Sequence, residues 1–283
     1  AVLTGSGLAV CGLLMQTLFR NPLAGPYVLG VSSGASLGVA LLMMASAWFG
    51  GSAVIDALPL GKWGLVTAAM AGSFLVMLLV ILLSSRVADS VSILIIGMMF
   101  GSATGAIVSI LQYFSDPDSV HTFLVWTFGS ISGVNWPDLR ILVPIVVVGV
   151  VVALFLQKSL NAIQLGEVQA RVVGVPVKRT RFLIILVTSL LTGSLTAFTG
   201  PIAFVGVAVP HLARALYRSP DHRILLPASI LCGSILMLVC DILAQVPAAN
   251  QILPVNTVTS LFGAPILIWV ILRNRRGRNS LAE

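Results

Sequence analysis

Pro201-Ile202-Ala203-Phe204-Val205-Gly206-Val207-Ala208-Val209-Pro210-His211-Leu212-Ala213-Arg214-Ala215-Leu216-Tyr217 is the stretch on which the reading of this chain turns. Its first half is apolar. Its second half carries Pro210, His211 and Arg214, which hydrocarbon excludes unless other protein covers them. Eight other stretches are apolar over membrane-spanning lengths, roughly 1–19, 27–50, 63–85, 91–114, 139–157, 182–200, 224–246 and 252–272; a span takes about 20 such residues. Charge decides whether 201–217 is a ninth, because Lys and Arg in short loops stay on the cytoplasmic side. With nine crossings starting outside, that side collects Arg20, Arg86, Lys158, Arg171, Lys178, Arg179, Arg181, Arg214, Arg218, Arg223, Arg273, Arg275, Arg276 and Arg278, which is 14 of the 16 Lys and Arg residues. Lys62 and Arg140 remain outside. Without the ninth crossing the four C-terminal arginines fall on the wrong face, so the crossing is needed and the C-terminus is expected in the cytoplasm.

Composition agrees. The 283 residues are 58% hydrophobic and 9% charged, with a mean hydropathy of +1.06, too few polar side chains to coat a soluble globule. The expected class is an all-α polytopic membrane protein, one transmembrane domain over 1–283, with lipid as its main solvent. A net charge of +7 in a soluble domain would suggest nucleic acid, but here the basic residues lie between apolar runs, where topology explains them and no nucleic-acid partner is expected. Cys11, Cys232 and Cys240 sit within apolar stretches without metal-ligand spacing and read as small packing residues. An odd number of crossings leaves Ala1 outside with no charged leader ahead of the first span. The expectation is a natural precursor with ten crossings, the first of them missing from this chain.

Three segments do not span. Within the external loop 115–138, residues 119–128 are apolar but too short to cross, and Trp126 and Trp136 suit a helix at headgroup level. The loop 158–181 is the longest cytoplasmic one, and Pro176 divides its part from Gly166 onward into a short helix and a turn. The tight turn 20–26 is shaped by Pro22 and Pro26. Leu18-Phe19-Arg20-Asn21-Pro22 and Leu216-Tyr217-Arg218-Ser219-Pro220 form a weak repeat at an offset of 198, each closing an inward span and followed by small residues. The shared orientation suggests a parallel repeat. Gly30, Gly34, Gly38, Gly97, Gly101, Gly105 and Gly193 fall at spacings that place small residues on helix faces, which allows close packing.

Ionisable groups within or at the ends of spans are His211, Arg214 and Asp241. All lie near an interface, where structural hydrogen bonding is favoured over proton relay. Zincin, paired-aspartate, nucleophile-elbow and Cys-His signatures are missing, and His121, His211 and His222 lack second ligands at metal spacing. Gly61-Lys62 is followed by Trp63, with Asp56 where a phosphate-binding loop needs its first glycine. The chain is therefore expected not to be an enzyme, to hold no cofactor or metal and to have no catalytic residue. An ion-coupled secondary transporter is the alternative and requires Asp241 or His211 as its ion site. An intramembrane enzyme would require a nucleophile and base that the sequence does not offer.

Gly12 and Gln16, then Arg20-Asn21-Pro22-Leu23-Ala24-Gly25-Pro26 running into Leu29-Gly30-Val31-Ser32-Ser33-Gly34-Ala35, closely resemble the signature of the permeases that import siderophores, haem and cobalamin. Later motifs agree in order: Leu165-Gly166-Glu167 with Ala170 and Gly174; Gly200-Pro201-Ile202-Ala203-Phe204-Val205-Gly206 with Pro210-His211 and Arg214; Asp221-His222-Arg223 with Leu226-Pro227; Asp241; Leu253-Pro254-Val255; and Gly263-Ala264-Pro265. The resemblance covers nearly the whole chain. It implies the ten-span, type II ABC importer permease fold in the bacterial inner membrane. It also implies a homodimer with a second permease copy, a cytoplasmic ATP-binding subunit below, and a periplasmic or lipoprotein substrate-binding protein above. Carried over residue by residue, it places the inner gate at Asn21 and Leu23, with Ser90 and Val91 contributing, and the ATPase-coupling loop at Gly166, Glu167, Ala170, Arg171 and Gly174. A knob with Glu167 and Arg171 flanking small residues is suited to seat in a groove and transmit rigid-body motion. On the outer face the chain departs from many relatives, with Ile252 before the Leu-Pro and Asn256 two residues after the Pro, and with Gln245 where some carry Arg.

Overall fold

Residues 2–18 contain no charged side chain, and a helix apolar on every side belongs inside a bundle. In the computed structural model, which describes residues 1–44, 61–86, 90–246 and 253–279, this segment is helix α1 (Val2–Leu18), buried from Thr4 to Leu18. The chain continues through a 3-10 turn (Pro26–Leu29), α2 (Val31–Met44), α3 (Gly61–Arg86), α4 (Ser90–Phe114), α5 (Pro117–Thr127), α6 (Trp136–Phe155), α7 (Gln157–Leu165), α8 (Glu167–Val172), α9 (Val177–Thr199), α10 (Val205–Tyr217), α11 (His222–Gln245) and α12 (Val255–Asn279). No strand occurs among the described residues.

Helices α3, α4, α6, α9 and α11 are each long and apolar enough to cross a membrane alone. α1, α2 and the apolar part of α12 (Val255–Ile268) are shorter. The expected stretch 27–50 is represented by the 3-10 turn and α2, and its residues 45–50 lie outside the described ones. The expected stretch 201–217 is helical only from Val205. Gly200 (φ 72°) and Phe204 (φ 67°) turn the chain between them, so 201–204 run as non-helical backbone, with Ile202 buried and Pro201, Ala203 and Phe204 half-buried. Hydropathy did not reveal this break, because Ile202, Ala203 and Phe204 are as apolar as the helix that follows.

Burial grades the helices from centre to edge. In α9, 78% of the apolar window is buried, against 17% in α4, whose Met99, Ile110 and Tyr113 face outward. α1 packs on α9, α10 and α11. Its approach to α10 is backbone to backbone, since a Cβ on Gly12 would overlap the carbonyl oxygen of Gly206. Gly34 and Gly38 of α2 meet Gly72 and Ala68 of α3 in the same way, and Gly30 meets Gly97 and Gly101 of α4. Small residues let membrane helices gain dispersion energy where no hydrophobic force between helices operates. Gly105 differs, with nothing near its Cβ position.

The segment too short to cross forms α5. Asp116 caps it by accepting from the Ser119 N–H (2.8 Å), and Pro117 occupies its first turn. At the start of α6, Asp138 accepts from the Asn135 N–H (2.8 Å). The Ser130 N–H donates to the Thr199 carbonyl (2.8 Å), which holds the loop after α5 against the end of α9.

Candidate functional site

The basic end of the bundle gathers the residues that the sequence singled out. α1 stops there because Arg20 takes the left-handed conformation (φ 48°), and the turn is closed from inside: Asn21 Oδ1 accepts from the Leu23 N–H (2.9 Å) and the Asn21 carbonyl from Ala24 (3.1 Å). Leu23 projects from the turn, half exposed. The repeat noted in the sequence is repeated in geometry. Arg218 has the same φ of 48°, and Ser219 Oγ accepts from the Asp221 N–H (3.2 Å), as Asn21 does from Leu23.

Two side chains bolt the end of α1 and the turn 20–26 to α10. His211 Nε2 donates to the Pro22 carbonyl (2.7 Å); a carbonyl only accepts, so Nε2 bears the proton. Gln16 uses its amide twice, Nε2 donating to the Val207 carbonyl (3.1 Å) and Oε1 accepting from Arg214 Nη1 (2.5 Å). His211 and Arg214, the polar groups that made 201–217 doubtful, are thus satisfied by protein. His211→Ala is expected to free the turn, at a cost of about 1 kcal/mol for the lost hydrogen bond, while His211→Gln retains a donor. Hydrogen–deuterium exchange of amides 20–26 reads this directly: faster in the Ala variant, near wild type in the Gln variant.

The second turn is pinned by His222, a buried side chain at the start of α11. Its Nδ1 lies 2.7 Å from Asn161 Oδ1 and its Nε2 2.8 Å from Thr17 Oγ1. Asn161 Nδ2 donates to Asp221 Oδ1 (2.7 Å). Asp221 caps α11 by accepting from the Arg223 N–H (2.9 Å), and that bond, with the Asn161 amide second, holds its carboxyl below the usual carboxylate range.

Beyond the ends of α6 and α9, α7 and α8 form a knob. Gly166 (φ 129°) and Gly174 (φ 81°) bracket α8 at conformations L side chains rarely adopt, Ala170 is buried on its inner side, and Glu167 and Arg171 lie one turn apart. The Glu167 carboxylate accepts from Arg171 (3.4 Å) and from Arg181, which is buried in the first turn of α9. Glu167 therefore faces back into its own protein. What the knob presents outward is apolar: Leu165, Val168, Val172 and Val173 are 70–82% exposed, amid Lys158, Arg171, Lys178 and Arg179.

Ser90 and Val91 open α4, on a different element from Asn21 and Leu23; Val91 is exposed, and Asp89 lies outside the described residues. The 3-10 turn follows the turn 20–26 and packs on α4, with Gly30 against Gly97 and Gly101, about two turns or more along the helix from Ser90 and Val91. Toward the other end, the Tyr27 hydroxyl donates to the Ile202 carbonyl and accepts from the Ile202 N–H (2.8 Å), satisfying the non-helical backbone. Asn256 Oδ1 accepts from the Ala203 N–H (2.9 Å), and the Asn256 N–H donates to the Phe128 carbonyl (3.2 Å). The departure at Asn256 thus has a structural use, whereas that at Ile252 lies outside the described residues. Sequence reasoning missed Asn161, Tyr27, Thr17 and the pairing role of Arg181. The only local signal was Asp221 as a helix cap ahead of His222.

A bundle of apolar helices packed through glycine, with non-helical backbone satisfied inside it and a basic, knobbed end, defines an all-helical polytopic membrane permease. The chain belongs to the FecCD transport family, whose model matches residues 1–273. The hemin transport system permease protein HmuU of Yersinia pestis is 35% identical over 282 residues, covering 99% of this chain and 81% of that protein. The vitamin B12 import system permease protein BtuC of Vibrio cholerae is 36% identical over 276 residues, 97% of this chain and 80% of that one. An inward-facing structure of a metal-chelate type ABC transporter matches with a TM-score of 0.85 at 32% identity, over 96% of this chain and 83% of its own. PsaBC of Streptococcus pneumoniae shares the fold, with a TM-score of 0.63 at 17% identity.

Proposed function

We propose that this chain is the permease subunit of a binding-protein-dependent ABC importer that moves a metal chelate across the bacterial inner membrane. The chelate class is iron–siderophore, haem or cobalamin, as the names of the hemin and vitamin B12 relatives suggest. Two copies line the path, a separate cytoplasmic ATPase drives it, and a periplasmic or lipoprotein binding protein delivers the substrate. The chain crosses nine times, with the basic end and the C-terminus in the cytoplasm. Asn21, Leu23, Ser90 and Val91 form the inner gate, and Gly166, Glu167, Ala170, Arg171 and Gly174 the coupling loop.

The observation that carries this reading is the apolar crest of the knob. Leu165, Val168, Val172 and Val173 are exposed at or beside helices too short to span, in a stretch of chain that also carries Lys158, Arg171, Lys178 and Arg179. Apolar side chains rimmed by charge mark a protein-binding surface. Co-purification of the permease with its ATPase tests it. Val168→Glu with Val172→Glu is expected to abolish an association that the wild type retains; an association unaffected by the two acids would remove the knob from the interface.

A further inference from the structure

α7 is joined to α1 through a line of hydrogen bonds, half-buried at Asn161 and buried between His222 and Thr17. Asn161 of α7 donates through Nδ2 to Asp221 Oδ1 (2.7 Å), a group that only accepts, which fixes the orientation of the amide. Its Oδ1 therefore faces the two donors of His222, the backbone N–H (2.9 Å) and ring Nδ1 (2.7 Å). In the neutral ring the proton sits on Nδ1, so the bond between Nε2 and Thr17 Oγ1 (2.8 Å) uses the hydroxyl proton, for which the Leu13 carbonyl, also 2.8 Å away, competes. Thr17 lies in the last turn of α1, and its neighbour Gln16 accepts the Asn21 N–H (3.2 Å) that begins the turn 20–26.

We propose that the Asn161–His222–Thr17 chain is the mechanical link through which movement of the coupling helices reaches the inner gate. The inference rests on the coupling and gate roles proposed above. Three observations support it. His222 is 1% exposed and Thr17 4%, so the bond between them is buried, while the bonds of Asn161 are half-buried, and a buried bond of this kind is stiff. A second polar tie from the knob, Glu167 to Arg181, leads into α9, whereas Asn161 leads through α11 into α1, the helix that ends in the gate turn. A cleft of about 370 Å³, bordered by Thr17, Arg20, Pro22 and Gln164, lies beside that turn and gives it room to move. Asn161, His222 and Thr17 are positioning residues: they touch no substrate and act through the turn.

The test uses the permease assembled with its ATPase in lipid nanodiscs, with Leu23→Cys as reporter. Labelling by a charged maleimide is measured above the background of the native Cys11, Cys232 and Cys240, without nucleotide and with ATP trapped by vanadate. Thr17→Val keeps the shape and removes the hydroxyl; Thr17→Ser keeps the hydroxyl. In wild type and Thr17→Ser the labelling rate is expected to change with nucleotide by about fivefold or more, the low end for coupled sites. In Thr17→Val that ratio falls to near one while ATP hydrolysis continues. A Thr17→Val protein that keeps the wild-type response overturns the link, and so does an equal loss in the Val and Ser variants. No response in wild type means that the gate reading itself fails, and failure of the wild-type permease to hold its ATPase means that the coupling reading fails; either removes the link with it.

Discussion

Arg181→Ala is expected to loosen the knob from α9 and to reduce transport far more than Arg171→Ala, although both remove a cation from the same carboxylate. The Arg181 side chain is 9% exposed and that of Arg171 62%. An exposed pair one helical turn apart contributes about 0.3–0.5 kcal/mol. Removing one partner of a fully buried pair costs about 3–5 kcal/mol. With the Glu167 side chain one quarter exposed, the Arg181 change falls between these limits, at about 2 kcal/mol. The loss appears as earlier thermal unfolding in detergent and faster proteolysis within 158–181. Exchanging the charges, Glu167→Arg with Arg181→Glu, should recover part of it. Equal damage from Arg171→Ala and Arg181→Ala would show that Glu167 is held by neither in the way described.

Gly12→Leu is expected to abolish folded protein, and Gly12→Ala to cost about 1–3 kcal/mol by overpacking. A Cβ at Gly12 overlaps the Gly206 carbonyl oxygen, which is backbone and has no rotamer to adopt. Gly206 also lies against Pro26, so separation of α1 from α10 shifts the turn that follows. Gly105→Ala is the control: with open space around it, Ala in place of Gly in a helix interior is neutral or stabilising, by up to about 1 kcal/mol. Fluorescence-detected size-exclusion chromatography after a heat step separates the three. A monodisperse Gly12→Leu protein with wild-type stability would contradict the close approach of α1 and α10.

The helical character of the chain was legible because a membrane forces each backbone donor and acceptor to be met within the segment or by protein around it, so long apolar runs have one regular solution. The repeat was legible too. Arg20 and Arg218, matched in sequence, share a left-handed conformation, and Asn21 and Ser219 close their turns by equivalent bonds. Hydropathy reports solvent rather than partner, so it was silent where polar groups meet across the bundle. Asn161 and His222 stand 61 residues apart, Thr17 and His222 205, and no local pattern announces either pair. The start of α10 at Val205 was hidden for the opposite reason: Tyr27 and Asn256 satisfy the backbone of 202 and 203 from a distance, so those residues can remain apolar without being helical. Glu167 was legible as a knob residue but not as one turned inward, since the carboxylate had cations at several spacings to choose from.

The measurement that bears most directly on the central claim is uptake of radiolabelled haemin, cobalamin and a ferric siderophore into proteoliposomes containing the permease with its ATPase, with binding protein outside and ATP inside. The account predicts uptake of one of these chelates only when both ATPase and ATP are present, unchanged when proton and sodium gradients are collapsed. Uptake by the permease alone, driven by an ion gradient and abolished by Asp241→Asn, would contradict it.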